Sequence, residues 1–259
     1  IIEIYEKFVG EDPRKVPMKI FPAVHYSMGG LWVDYNQMTN IPGLFAAGEC
    51  EYQYHGANRL GANSLLSAIF GGMVAGPKAI EYMRGLKKSA EDLSSNLYDQ
   101  YKKREEDKFE EILKLDGDEN PYRLHQELGQ WMTDNVTVVR FNDRLKKTDE
   151  KIQELMERYK RINVHDTGRV VNQTASFTRQ LWNMFELARV ITIGALLRNE
   201  SRGAHYKPEF PERNDEEWLK TTKARFTADG PAFEYEDVDI SLIKPRPRRY
   251  DIKKEEVKA

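Results

Sequence analysis

An α+β fold is predicted, with a Gly-rich α/β layer, an antiparallel helical bundle and an irregular tail in that order. Three observations carry it. Most of the 17 glycines fall before residue 90, among short apolar runs and turn signals. Residues 91–200 repeat apolar positions at helical spacing. Beyond 200, Pro208, Pro211, Pro231, Pro245 and Pro247 exclude long helices.

The chain opens on Ile1–Phe8, which reads as the end of an amphipathic helix with no N-cap before it and predicts a longer polypeptide. Lys19–Val24 and Gly43–Ala47 read as short strands bounded by Gly and Pro. Gly29-Gly30 and Pro42-Gly43 are turn signals. Asn63-Ser64 then opens an apolar helix, Leu65 to about Met83, in which Pro77 predicts a kink. Strand, Gly-rich loop and helix in succession are the grammar of a nucleotide-binding α/β layer.

The bundle follows in four helices. Asp92–Leu115 carries Leu93, Leu97, Tyr101, Phe109, Ile112 and Leu113 at helical spacing. Asn120-Pro121, a cap followed by proline at the first helical position, starts a helix through about Asp134. Asp143–Ile162 is charged and amphipathic. Asn172–Arg198 is apolar around nearly its whole circumference, which predicts burial at the centre of the bundle. The units expected are 1–20, 21–90, 91–200 and 201–259, with Lys253–Ala259 a frayed end.

Composition sets bounds on function. The chain has 259 residues, 32% charged, with a formal net charge of −2. That balance argues against nucleic-acid binding. The basic run Arg246–Arg249 reads as a solvated tail, given its prolines and the acidic stretch Glu234–Asp239. Cys50 is the sole cysteine, so neither a disulfide framework nor a cysteine zinc site can be built, and a reducing compartment fits. Beside Glu49 it reads as a packing residue. The nearly apolar stretch Leu65–Gly76 is too short to span a bilayer, which takes about 20 residues. His165, Asp166 and His205 lack companions at metal-ligand spacing, so no metal site is assigned.

The chemistry is concentrated between His25 and Leu66. Arg59 has a planar guanidinium suited to gripping a carboxylate with two hydrogen bonds. His25 precedes a Gly-Gly turn, where backbone can approach a ligand closely. Asn63-Ser64 precedes a helix whose N-terminus offers free N–H groups and partial positive charge to an anion. Each also has a plain structural reading: a hydrogen-bonded histidine, a surface ion pair, an ordinary helix cap.

The strings HYSMGG (25–30), GLFAAGE (43–49) and HGANRLGANSLL (55–66) closely resemble the succinate dehydrogenase and fumarate reductase flavoprotein subunits. The segment ESRGAHYKPEFPERND (200–215), with Trp218 and the tail to Pro247 and Tyr250, resembles the C-terminus of the same family. The resemblance implies that 1–20 is the end of a capping domain, 21–90 the C-terminal part of an FAD-binding domain, 91–200 a helical domain and 201–259 a tail packing on the flavin domain. It implies that His25 and Arg59 bind the dicarboxylate, and that Glu49, Asn63, Ser64 and Leu65 contact FAD. It implies oxidation of succinate to fumarate, electrons passed to an iron–sulfur subunit, and peripheral attachment to the cytoplasmic face of the membrane through an anchor subunit. Arg202 and His205 are expected to tie the tail to the flavin domain.

Other marks of the family have no counterpart here. There is no GxGxxG, no histidine matching the covalent FAD attachment point and no proton-shuttling arginine of a capping domain. The expectation is therefore a C-terminal portion with no catalytic residue of its own, inactive alone. L-aspartate oxidases share a similar Arg-Leu-x-x-Asn-Ser-Leu-Leu cluster; the tail from Trp218 to Tyr250 favours the respiratory enzymes. A non-catalytic helical interaction protein is the competing class, and it predicts no flavin and tolerance of Arg59→Ala.

Overall fold

The computed structural model describes residues 1–20 and 24–246. Phe21, Pro22 and Ala23 of the first expected strand, Pro247, Arg248, Arg249, Tyr250 and the charged end Lys253–Ala259 lie outside those residues.

Helix α1, Ile2–Val9, has no side-chain cap, and Gly10 closes it in the left-handed conformation (φ 77°). The Gly-rich segment holds isolated pairings in place of extended strands. Val33 bridges Thr39, Met38 bridges Phe45 and Leu31 bridges Glu51. The strand expected at Gly43–Ala47 thus shrinks to one pairing at Phe45. Turns leave no room for more: Asp34 Oδ1 accepts from Asn36 N–H at 2.8 Å and from Met38 N–H at 3.0 Å, and Gln37 and Gly43 have φ of 66° and 85°. A short 3-10 turn, Gly48–Cys50, leads on toward α2, Asn63–Gly85. Helix α2 runs through Pro77 without a break. It leaves Leu65, Leu66, Ile69, Phe70 and Met73 largely exposed.

The helical region follows the sequence pattern closely. Helix α3 spans Ser95–Leu113. Helix α4 spans Pro121–Met132, with Asn120 Oδ1 accepting from Tyr122 and Arg123 N–H as the predicted cap. Five residues of π-helix, Thr133–Thr137, extend it. Helix α5, Asn142–Tyr159, buries Leu145, Thr148, Ile152 and Leu155, one turn apart. Helix α6, Gln173–Leu197, packs against α3, α4 and α5 and so lies at the centre. Its burial is confined to one broad stripe: Ala175, Thr178, Leu181, Phe185, Ala188, Thr192 and Ala195. Leu187 and Ile191, counted as buried by the sequence pattern, are 63% and 51% exposed. Small and hydroxylated side chains share that stripe with Leu181 and Phe185 and let the neighbouring helices approach closely, while Leu187 and Ile191 lie outside it. The main core joins Leu124 and Leu128 of α4, Ile152 and Leu155 of α5, and Leu181 and Phe185 of α6.

The tail is more ordered than its prolines suggest. A short helix α7, Asp215–Trp218, precedes an antiparallel hairpin of β1, Lys220–Arg225, and β2, Ala232–Asp237. Alternating charge hides these strands from a hydrophobic pattern. Lys223 stands opposite Glu234 and also reaches Glu236 at 2.9 Å. Arg198, at the end of α6, holds the hairpin. Its guanidinium donates to Trp218 O, Lys220 O and Thr222 Oγ1 and lies over the Trp218 ring, 5.2 Å from its centroid.

Candidate functional site

Tyr26, His55, Arg59 and Ser67 gather at the start of α2, with Ser27 and Glu49 beside them. Arg59 lies on the loop just before that helix. Its guanidinium sits over the Tyr26 ring, 4.8 Å from the centroid, and Nη1 donates to Leu60 O at 3.1 Å. Its Nε is buried and has no hydrogen-bond partner among the described residues. A buried guanidinium N–H without an acceptor is costly, and a carboxylate is the group that satisfies it best.

Tyr26 also contacts His55. Its hydroxyl is 3.3 Å from His55 Nε2, and the two rings meet edge-on at 5.2 Å. His55 Nε2 is 3.1 Å from Ser67 Oγ, which itself donates to Ser64 O at 2.9 Å. Burial, with the charge of Arg59, pushes the His55 pKa below its ordinary 6.5, so the ring is neutral near pH 7. His25 is exposed and brought to this place by its neighbour Tyr26. Glu49 Oε1 accepts from Ser27 N–H at 2.9 Å, which fastens the HYSMGG segment to the 3-10 turn. His25, Glu49 and Arg59 therefore share one region, stitched by Tyr26 and Ser27.

The helix start departs from the expected cap. The capping position is Ala62, left-handed at φ 65° and without a side-chain hydrogen bond; Asn63 and Ser64 already belong to the helix. A left-handed alanine is strained, and such strain collects at functional sites. The first-turn N–H groups, including those of Ser64 and Leu65, are left without a side-chain cap. An anion is the natural acceptor for them.

Gly30 keeps the backbone close to Cys50. A Cβ at Gly30 would lie 2.4 Å from Cys50 O, so only glycine passes there. Cys50 is exposed, and its Sγ bonds Ala47 O. No group of three potential metal ligands comes together among the described residues.

The expected role of Arg202 and His205 needs correction. Arg202 pairs with Glu200, the last residue of the helical region, and with Asp215 of the tail. His205 Nδ1 accepts from Arg140, and Nε2–H donates to Arg198 O at 3.0 Å. Both side chains therefore stay within the tail and the helical region. The two residues between them make the link instead, because Arg202 and His205 bond each other's backbone and push Gly203-Ala204 out as a tight tip.

Comparison with known proteins draws the region together. The family model for the fumarate reductase flavoprotein C-term matches residues 125–250, and that for an FAD binding domain matches 1–65. The succinate dehydrogenase flavoprotein subunit of Bacillus subtilis (strain 168) is 70% identical over 256 residues, 98% of this chain and 44% of that protein. The chain belongs to the succinate dehydrogenase and fumarate reductase flavoprotein family.

Within that family, the fumarate reductase flavoprotein subunit of Haemophilus influenzae is 37% identical over 96% of this chain and 41% of its own length. A solved quinol-fumarate reductase with menaquinol molecules superposes with a TM-score of 0.86 at 36% identity, over 95% of this chain and 42% of that one. Mycobacterium smegmatis Sdh1 in complex with UQ1 gives 0.80 at 29% identity, over 92% and 40%. The chain thus spans less than half the length of the relatives it matches.

FAD is the cofactor of this flavoprotein family, and the site fits it. The uncapped start of α2 suits the electron-rich edge of a reduced flavin, and Gly48 (φ 84°) brings the backbone of the Glu49 turn against Ala68 of the helix. No described helix is long and apolar enough to cross a membrane. Sequence reasoning passed over Tyr26, His55 and Ser67. Tyr26 and His55 stand inside the family strings, but only the folded chain brings them together.

Proposed function

We propose that this chain supplies the dicarboxylate grip and one wall of the flavin site of a succinate dehydrogenase flavoprotein subunit. His25 and Arg59 bind succinate. Glu49, Asn63, Ser64 and Leu65 face FAD, and bound FAD supplies the two-electron acceptor for oxidation to fumarate. The observation that carries this reading is Arg59, whose buried Nε lacks an acceptor among the described residues, beside an uncapped helix start.

A guanidinium held flat fixes a carboxylate in one plane, which orients the carbons between the two carboxylates for reaction. The α2 N-terminus stabilises negative charge that develops on the acceptor. Electrons pass to an iron–sulfur subunit, and a membrane anchor holds the assembly indirectly at the cytoplasmic face. Within these residues no proton-shuttling arginine or GxGxxG is assigned, so they do not turn over succinate by themselves.

Fumarate reduction at the same site is the second reading, favoured by relatives of 34–37% identity that bear that name. The test is Arg59→Ala in the complete subunit. Succinate oxidation falls by at least about a thousandfold, as for loss of a charge-assisted grip on the reacting group, with FAD retained. Turnover close to normal in that variant would sink the role of Arg59. Assays with succinate, fumarate and L-aspartate separate the two directions and the aspartate oxidase alternative.

A further inference from the structure

The contacts around Arg59 extend the proposed dicarboxylate site, and the role inferred from them rests on that reading. Among the described residues Arg59 forms no ion pair; its plane is set by the Tyr26 ring beneath it and by Leu60 O. The ring cannot swing away freely, because its hydroxyl meets His55 Nε2. His55 is anchored in turn on buried Ser67 of α2.

The hydrogen count defines this chain of contacts. Ser67 has one hydroxyl hydrogen, and it is given to Ser64 O. Toward His55 the Ser67 oxygen therefore accepts, so Nε2 carries the proton. A neutral imidazole protonated at Nε2 has one hydrogen there, shared in a three-centre contact between Ser67 Oγ at 3.1 Å and the Tyr26 oxygen at 3.3 Å. Tyr26 is thus held at its oxygen by His55 and presents its ring face to Arg59. It also directly follows His25, so one aromatic residue sets the relative placement of both proposed substrate-binding side chains.

We propose that Tyr26 and His55 are positioning residues for Arg59: they hold the guanidinium plane ready for a two-bond grip on a carboxylate and so set dicarboxylate affinity. An arginine free to rotate would meet a carboxylate with the same charge but would lose rotational freedom on binding. The effect therefore falls on affinity, with less change in the reaction step of bound substrate.

The experiment uses the complete flavoprotein subunit with its partners, FAD content being read from flavin absorbance. Tyr26→Leu removes ring and hydroxyl; Tyr26→Phe removes the hydroxyl alone; His55→Gln alters the anchor. Tyr26→Leu raises KM for succinate, and Kd for malonate as a non-reacting dicarboxylate, by about threefold to tenfold, the range of a cation–π contact, with kcat changed less. Tyr26→Phe and His55→Gln give smaller rises of the same kind. Arg59→Lys, which cannot lie flat on a ring, supplies a double-mutant cycle: added to it, Tyr26→Leu weakens malonate binding no further.

Unchanged KM and malonate Kd in Tyr26→Leu overturn the proposal. So does an equal loss in the Arg59→Lys background, which would mean that Tyr26 acts independently of Arg59. If Tyr26→Leu loses its flavin, Tyr26→Phe decides, and normal affinity there overturns the hydroxyl tether. Normal malonate binding in Arg59→Ala is a different result: it removes the substrate role of Arg59 itself, on which the positioning role depends.

Discussion

Gly203 stands against Ala57. Ala204 N–H donates to Ala57 O at 2.9 Å, and a Cβ built on Gly203 would lie 2.4 Å from that oxygen. The tip of the tail thus rests on the loop that leads into Arg59. Trp32 makes a second link, its Nε1–H donating to Glu236 Oε2 of the hairpin at 3.1 Å.

Gly203→Ala is therefore expected to be costly. The residue has φ 59°, and its Cβ would meet backbone, which cannot give way like a flexible side chain. Left-handed strain and overpacking together predict a loss of about 2–4 kcal/mol, measured by denaturant unfolding. A loss below about 0.5 kcal/mol would show that the tip has room to move off Ala57.

Gly129 should behave in the opposite way. It sits within α4, and a Cβ there meets nothing within 4 Å. Gly129→Ala is expected to stabilise by about 0.5–1 kcal/mol, because the unfolded chain loses freedom and the helix gains a better former. A lowered unfolding midpoint would contradict the open space around it.

Lys207 ends helix α6. It is fully buried, and its Nζ shares three hydrogens among four acceptors within 3.1 Å, the carbonyls of Ala195, Leu196 and Arg198 and Asn199 Oδ1. These are the carbonyls a helix leaves unpaired at its C-terminus. Burial lowers the Lys207 pKa to about 8, so it remains mostly charged at pH 7. Lys207→Met removes this donor from the Ala195 and Leu196 carbonyls, while Arg198 O keeps His205, and is expected to cost about 2 kcal/mol, with faster amide exchange over the last turn of α6. Unaltered exchange there would rule out the capping role.

His205 predicts an acid weakness. Burial first, then the charge of Arg140, pushes its pKa from 6.5 down to about 4, with Lys207 and Arg198 adding in the same sense and the Arg198 carbonyl opposing. In the unfolded chain it titrates near 6.5. Between the two values the unfolded state binds more protons, so stability falls as pH drops from about 6.5 to about 4, and this group adds no further loss below that. His205→Gln flattens that part of the stability profile. Glu200 contributes separately: burial raises its pKa, yet Arg202, Asn214 and Arg198 outweigh burial and lower it, so its stabilisation is also lost in acid. An unchanged slope between pH 6.5 and 4 in His205→Gln would count against the histidine.

Legibility in the sequence followed locality. The Asn120-Pro121 cap, the α5 stripe and the extent of α6 are properties of neighbouring residues, and they stand where the pattern put them. The hairpin did not announce itself, because Lys223, Glu234 and Glu236 stabilise it by pairing across strands. The cap of α2 was misread for a related reason. Asn63 and Ser64 are good capping residues, but Ala62 takes the position in a strained conformation that local preference disfavours.

The amino-acid sequence by itself determined the family strings, the helical spacing and the identity of the charged groups at the site, all of them written along the chain. Only the tertiary structure decided which groups meet: the Arg59 guanidinium on the Tyr26 ring, His55 on Ser67, Gly203 on Ala57. These contacts join positions far apart in sequence. They depend on close packing that excludes a single methyl group at Gly203, and no periodicity along the chain records such a fit.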